Sequence, residues 1–142
     1  MPNLPRLSVF ALAVLVACPV LAADEPKGGP FVAVGYGGRR VVSSDGVKWT
    51  VSAEWAEKGG DDSDNLMSVV YAKGMFVAVG GGTPKKDKKD VGGHILVSKD
   101  GKEWKEVYAA KFRVHPVLYG SRFVAGGPSR NFLYSDDGLT WK

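Results

Sequence analysis

The chain has 142 residues, a formal net charge of +4 at pH 7 and 19 glycines, and 11% of its residues are aromatic. This length and glycine content predict one all-β domain and leave little room for a second. Because Lys and Arg are interspersed with Asp and Glu, the small basic excess does not predict nucleic-acid binding.

Residues 1–23 have the pattern of an export signal. Arg6 supplies a positive start, residues 7–17 are apolar, and Val20-Leu21-Ala22 fits a cleavage site. The apolar stretch is too short to span a membrane. We therefore expect an exported protein that is secreted, periplasmic or held at the cell surface. Residues 24–30, rich in Pro and Gly, read as a linker.

Cys18 is the only cysteine, which excludes an intramolecular disulfide. The sequence Leu15-Val16-Ala17-Cys18 resembles a bacterial lipobox, in which the Cys is lipid-modified. Pro19 and the apolar residues that follow favour ordinary cleavage instead. Both alternatives stay open, and we expect membrane contact only through such a lipid anchor.

A seven-residue motif, Ser-x-Asp-Gly-x-x-Trp, occurs three times, and we call these segments the Asp-Gly motifs. Gly tolerates a positive φ, an Asp carboxylate accepts N–H groups of its own turn, and a Ser hydroxyl satisfies another, so the motif predicts a hairpin. The Trp begins the return strand and folds over the turn. We predict a structural role, with no catalytic or metal-binding part. The shared positions are Ser43, Asp45, Gly46 and Trp49; Ser98, Asp100, Gly101 and Trp104; and Ser135, Asp137, Gly138 and Trp141.

Each Asp-Gly motif follows a Phe-Val-Ala segment that begins at Phe31, Phe76 or Phe123. The repeated unit is therefore larger than the motif, and its three copies cover about residues 31–65, 66–113 and 114–142. Further apolar runs at 66–71 and 114–119 bring the unit to four strands, as in a propeller blade. The first run, 31–34, is apolar on both alternating faces, which predicts a strand between two neighbouring sheets.

The Asp-Gly motifs resemble the Asp box, or BNR repeat, of sialidase-like β-propellers, whose usual form is Ser-x-Asp-x-Gly-x-Thr-Trp. The copies here lack the residue between Asp and Gly. Together with Phe-Val-Ala-Val-Gly they resemble the BNR-like repeats of photosystem-assembly-factor-type and other exported bacterial propellers. The resemblance extends from Phe31 to Trp141. It implies β-propeller blades in which the Asp boxes are structural, so it brings no catalytic residue to this chain.

The segments between the repeated elements are polar. Residues 50–65 are expected to hold an outer strand and a loop, where Trp55 either covers a sheet edge or stacks on a sugar. Asp61, Asp62 and Asp64 lack the spacing of a calcium loop. The Lys-rich run 85–90 predicts a solvated insertion or a contact with an acidic surface.

Aligning the repeats places Arg39, His94 and Asn131 at one equivalent position, opposite the Asp-Gly motifs. They are either solvated strand ends or a polar binding face where loops converge. His94 and His115 are the only histidines, and neither has a second ligand at a metal-binding spacing. We expect no metal and no cofactor, since nucleotide-binding and hydrolase motifs are also absent from the sequence.

Two hypotheses for function follow. One is a non-enzymatic exported module that acts as a scaffold or binds a protein or glycan; the other is a fragment of a sialidase-like glycoside hydrolase. Sialidases need an arginine cluster and a Tyr nucleophile, and no segment here maps onto them. Closed propellers use roughly four to eight blades, so we expect three repeats to be completed by the remainder of a longer propeller or by further copies in a homo-oligomer.

Overall fold

In the computed structural model, residues 28–55, 64–82 and 92–142 are described, and their strands form three antiparallel sheets. The all-β fold class is confirmed. The predicted signal with Cys18, Asp61, Asp62 and the run 85–90 lie outside the described residues. The first sheet holds β1 (Phe31–Val34), β2 (Arg40–Ser43) and β3 (Thr50–Ala53); the middle sheet holds β4 (Leu66–Ala72), β5 (Met75–Gly81), β6 (Gly93–Ser98) and β7 (Lys105–Ala110); the last sheet holds β8 (Val117–Tyr119), β9 (Phe123–Gly126) and β10 (Phe132–Ser135).

Each sheet is a meander, in which strands adjacent in sequence are paired. The four-stranded unit is complete only in the middle sheet; in the described residues the first sheet starts with β1 and the last ends with β10. Tyr134 of β10 nevertheless exchanges both backbone hydrogen bonds with Lys142, at 2.9 and 3.0 Å. Tyr134 is equivalent to Val42 of the first sheet and Val97 of the middle sheet, whose partners are the first residues of β3 and β7. Lys142 therefore occupies the position at which those outer strands begin.

Two strand predictions differ in outcome. The strand predicted at 66–71 is confirmed as β4. The strand predicted at 114–119 is wrong at its start, because β8 begins only at Val117. Pro116 has no N–H to donate to a ladder, and Gly126 instead exchanges hydrogen bonds with two successive residues, accepting from His115 N at 2.7 Å and donating to Pro116 O at 2.9 Å.

The strand buried on both faces is β5. Val77 and Val79 face the last sheet and Ala78 faces the first, and all three are fully buried. The corresponding prediction for β1 is wrong, since Phe31 is 53% exposed. The apolar pattern is the same, but β1 belongs to an end sheet, which packs against another sheet on one side only within the described part of the chain.

The core consists of two inter-sheet contacts, which we call the first junction (first with middle sheet) and the second junction (middle with last sheet). Polar contacts supplement both: Leu66 N donates to Gly35 O across the first at 3.0 Å, and Lys73 Nζ donates to Asp136 O across the second at 2.8 Å. The first junction contains Leu66, Ala78 and Leu96 with Val34, Trp55, Val69 and Trp104; the second contains Val77, Val79, Ile95, Val97, Val117, Phe123, Ala125, Leu133 and Trp141 among others.

Candidate functional site

The three Asp-Gly motifs fold alike. In each, the Ser hydroxyl accepts the Gly N–H, at 2.9, 2.8 and 2.8 Å in chain order, and donates to the Asp carboxylate. The Trp indole N–H donates to the Gly carbonyl, at 3.2, 2.9 and 3.0 Å. The three glycines have φ values of 73°, 76° and 78°, a conformation that favours Gly.

The motif carboxylates are occupied by their own turns. Asp45 Oδ1 accepts the backbone N–H groups of Lys48 and Val47, both at 2.8 Å, and Asp100 and Asp137 do the same in their turns. These hydrogen bonds lower the pKa of all three carboxyls, chiefly through the N–H three residues on and then the N–H two residues on. Such carboxylates hold turns together and are poorly suited to proton transfer at neutral pH.

Open grooves run between neighbouring Asp-Gly motifs. The groove between the first and middle sheets has a volume of about 840 Å³ and is lined by Asp45, Lys48, Asp100 and Lys102 among others. The groove between the middle and last sheets measures about 370 Å³ and is mostly apolar. The carboxylates of Asp45 and Asp100 in these grooves already accept backbone N–H groups, which leaves them less available to a ligand.

At that opposite end, the three residues singled out by repeat alignment do occupy one backbone position. Arg39 O accepts from Gly35 N at 2.9 Å, His94 pairs with Gly80, and Asn131 O accepts from Gly127 N at 2.8 Å. Their side chains differ in surroundings. Asn131 Nδ2 donates to Pro128 O within its own 3-10 turn at 3.0 Å, whereas Arg39 and His94 join a polar group at the first junction.

This group, which we call the Arg40 cluster, contains Arg39, Arg40, Glu54, Trp55 and His94. Arg39 Nε lies 2.7 Å from Glu54 Oε1, and the rings of Trp55 and His94 have centroids 4.3 Å apart. His94 Nδ1 also lies 2.6 Å from Glu106 Oε1 on β7. The adjacent residues Glu54 and Trp55 thus connect Arg39 of the first sheet to His94 of the middle sheet.

Arg40 is the buried charge of the cluster. It is 5% exposed, and its Cζ lies 5.6 Å from the centroid of the Trp55 ring. Its Nε is buried without a hydrogen-bond partner among the described residues. Burial lowers the pKa of Arg40, and the charge of Glu54 opposes that shift. An Arg side chain stays protonated in proteins, so a positive charge is held inside the junction.

Sequence reasoning missed Arg40, although a signal was present. The register places Arg40 opposite Val34, Ile95 opposite Val79 and Phe132 opposite Gly126, so the three residues are equivalent. A charge therefore stands where the other two repeats have apolar side chains. Glu54 was missed as well, because a bulge at Arg40/Val41 shifts the end of β3 by one residue. Glu106 was missed because it reaches His94 diagonally, from its position opposite Leu96.

A short turn supports the cluster from the first sheet. Gly37 N donates to Asn65 Oδ1 at 2.9 Å, and Gly37 O accepts from Trp55 N at 3.3 Å. Gly38, at φ 71°, lies so close to the Trp55 ring that a Cβ atom would collide with it. The half-buried Trp55 ring is therefore held by protein contacts, which agrees with a role in covering the junction.

The donor set does not suit a metal. In residues 28–55, 64–82 and 92–142, no three His, Cys, Asp or Glu side chains form a group that would hold an ion. No helix in this part of the chain is long and apolar enough to cross a bilayer. The cluster offers cations, an aromatic ring and carboxylates, which suits recognition of a polar ligand.

No protein-family model matches the chain, and neither the search of curated proteins nor that of solved structures found a match.

Proposed function

We propose that this chain is a non-enzymatic, exported module of BNR-like β-propeller repeats that binds an acidic protein or glycan at the Arg40 cluster. The buried guanidinium of Arg40 is the observation on which the proposal depends. Its apolar equivalents, Ile95 and Phe132, indicate that the fold itself does not require a charge there. A buried polar group without a partner costs about 1–3 kcal/mol or more, so a charge retained at this position favours a functional reason.

Arg39 and Arg40 would act on an anionic ligand in different ways. Arg39 has 57% of its side chain exposed and is the cation that a ligand can reach. Arg40 lies beneath the surface, where the lower dielectric lets its charge act more strongly on a nearby anion than it would in water. A carboxylate that displaces Glu54 from Arg39 would gain a fork-shaped donor together with this second positive charge.

The position of the cluster in the chain also supports binding. Two segments outside the described residues adjoin the cluster in sequence. Residues 56–63 directly follow Trp55, and residues 83–91 end three residues before His94. The second of these segments carries the Lys-rich run 85–90. Segments that connect strands commonly carry binding function, and the four Lys against two Asp in this run favour an acidic ligand.

A binding measurement tests the proposal. The chain is titrated with carboxylated monosaccharides in one arm and with an acidic peptide in the other, and the two arms distinguish glycan from protein. Arg39→Leu and Arg40→Leu are each expected to weaken binding about tenfold or more, since each removes one charged interaction. Arg122→Leu is the matched control, because Arg122 Nε also pairs with a carboxylate, Asp136, at 3.2 Å but lies in the last sheet.

Equal effects of all three substitutions would contradict the assignment of the site. An assay with a fluorogenic sialic-acid substrate tests the other part of the proposal. We expect no turnover, and measurable hydrolysis would instead favour the glycoside hydrolase hypothesis.

A further inference from the structure

The second junction shows how one sheet of this chain covers the next. The middle sheet contributes Val77, Val79, Ile95 and Val97 from one face. These side chains pack against Phe123, Ala125, Leu133 and Trp141 of the last sheet. None of these eight residues is more than 9% exposed. The contact is an interdigitated apolar layer of the kind that joins packed sheets.

The outer face of the last sheet repeats the first half of this layer. Val124 pairs with Tyr134 as Val77 pairs with Val97, and Phe132 pairs with Gly126 as Ile95 pairs with Val79. Here the residues are uncovered: Val124 is 40% exposed and Phe132 is 64% exposed. Leu118, directly opposite Val124, adds a further 64% exposed apolar side chain to the same face.

The outer face of the first sheet repeats the second half of the layer. Phe31 pairs with Ser43 as Phe123 pairs with Ser135, and Ala33 pairs with Val41 as Ala125 pairs with Leu133. Phe31 is 53% exposed and Trp49 is 44% exposed, whereas their equivalents Phe123 and Trp141 are 0% and 7% exposed. The two ends of the stack therefore carry the two halves of a contact that the chain already makes internally.

The glycines of the Asp-Gly motifs also indicate what would cover the outer face of the first sheet. A Cβ atom at Gly101 would meet Val32 and Val42 of the preceding sheet, and one at Gly138 would meet Met75 of its own preceding sheet. At Gly46 it would meet only Phe31, which belongs to the same sheet. The space in front of Gly46 is where a preceding sheet would lie, and the equivalents of Val32 and Val42 are Val124 and Tyr134.

We propose that the last sheet of one copy docks on the first sheet of a second copy, head to tail. The contact is heterologous, so it either closes into a ring or continues as a filament. Two copies of three sheets each give six sheets, which lies within the range of roughly four to eight blades in closed propellers. We therefore infer a closed dimer in which both junctions between copies reproduce the second junction.

Light scattering coupled to size exclusion tests the dimer with complementary variants of the purified chain. Val124→Glu disables the last sheet's face, and Phe31→Glu disables the first sheet's face. Each variant alone is expected to run as a monomer. An equimolar mixture is expected to recover a dimer, because the Val124→Glu copy retains an intact first sheet and the Phe31→Glu copy an intact last sheet.

Tyr36→Glu is the control, since Tyr36 is 62% exposed but lies in the turn between β1 and β2. It is expected to remain dimeric. Recovery of the dimer in the mixture also shows that both variants are folded, and circular dichroism checks each alone. A monomeric native chain, or a mixture that stays monomeric while both variants are folded, would overturn the proposal. Open-ended oligomers of the native chain would overturn the closed ring.

Discussion

Gly101 of the middle sheet lies against Val32 of the first sheet, so closely that a Cβ atom on Gly101 would fall 2.6 Å from Val32 Cγ2. Gly is favoured at this position for two reasons: its φ of 76° lies in the left-handed region, and the neighbouring sheet leaves no space for a Cβ atom. Gly74 has nearly the same φ, 75°, but no atom within 4 Å of its Cβ position. Substitutions at Gly74 and Gly101 therefore separate the free-energy cost of a left-handed backbone from the cost of crowding between sheets.

Gly101→Ala is expected to destabilise the chain more than Gly74→Ala. Both substitutions force a side chain into a left-handed conformation, at a cost of about 1–2 kcal/mol. Gly101→Ala also pushes against Val32 and Val42, and such overpacking adds about 1–3 kcal/mol. Urea unfolding at one protein concentration measures both variants, and equal losses would mean that the sheets do not approach each other as described.

Arg40→Leu is expected to increase the free energy of unfolding by about 1–3 kcal/mol, because it replaces a buried, incompletely paired charge with an apolar side chain. Arg39→Leu is the neighbouring control and is expected to change stability by less than about 1 kcal/mol, since it removes an exposed ion pair. If Arg40→Leu were strongly destabilising, Arg40 would be serving the fold, and the reason for assigning it to ligand binding would be lost.

Acid is expected to weaken the fold through the motif carboxylates. The pKa of Asp137 in the folded chain is lowered, chiefly by the N–H groups of Thr140 and Leu139. An unfolded Asp titrates near 3.9, so this stabilisation is fully present above about pH 4 and is lost as the pH falls toward the lower folded pKa.

Asp137→Asn tests this dependence. The variant is expected to be less stable than the native chain at pH 7, and the difference is expected to shrink below about pH 4. Asp136→Asn is the control, because the Asp136 carboxylate contacts Arg122 at the surface. Urea unfolding between pH 7 and pH 2 gives the comparison; a gap that stays constant with pH would show that the Asp137 charge does not stabilise the turn.

The parts of the fold that could be predicted from sequence are those set by local chemistry. Asp-Gly turns with a preceding Ser need only their own residues, and the three turns and the strands around them follow the repeat. The exposure of Phe31 could not be predicted in this way, since Phe123 has the same local sequence and is fully buried. The difference lies in which sheets have neighbours on both sides.

The candidate site was predicted only in part. Repeat alignment identified Arg39 and His94, and the structure places both in the Arg40 cluster. It also selected Asn131, whose side chain bonds within its own turn. Arg40 was missed because its burial depends on the packing of two sheets, although comparison with Ile95 and Phe132 would have revealed a charge in an apolar column.

The Asp-Gly motifs close the turns at one end of the sheets, and we propose that ligand binding takes place at the opposite end. The chain has four Trp, and each contributes one indole N–H signal to a two-dimensional nitrogen–proton NMR spectrum. Three of these indoles donate to motif glycines, and the fourth, Trp55, contacts Arg40 and His94. Titration with the acidic ligand that binds best is predicted to shift the Trp55 signal and leave the other three in place. Shifts at Trp49, Trp104 or Trp141 with an unmoved Trp55 signal would contradict the account.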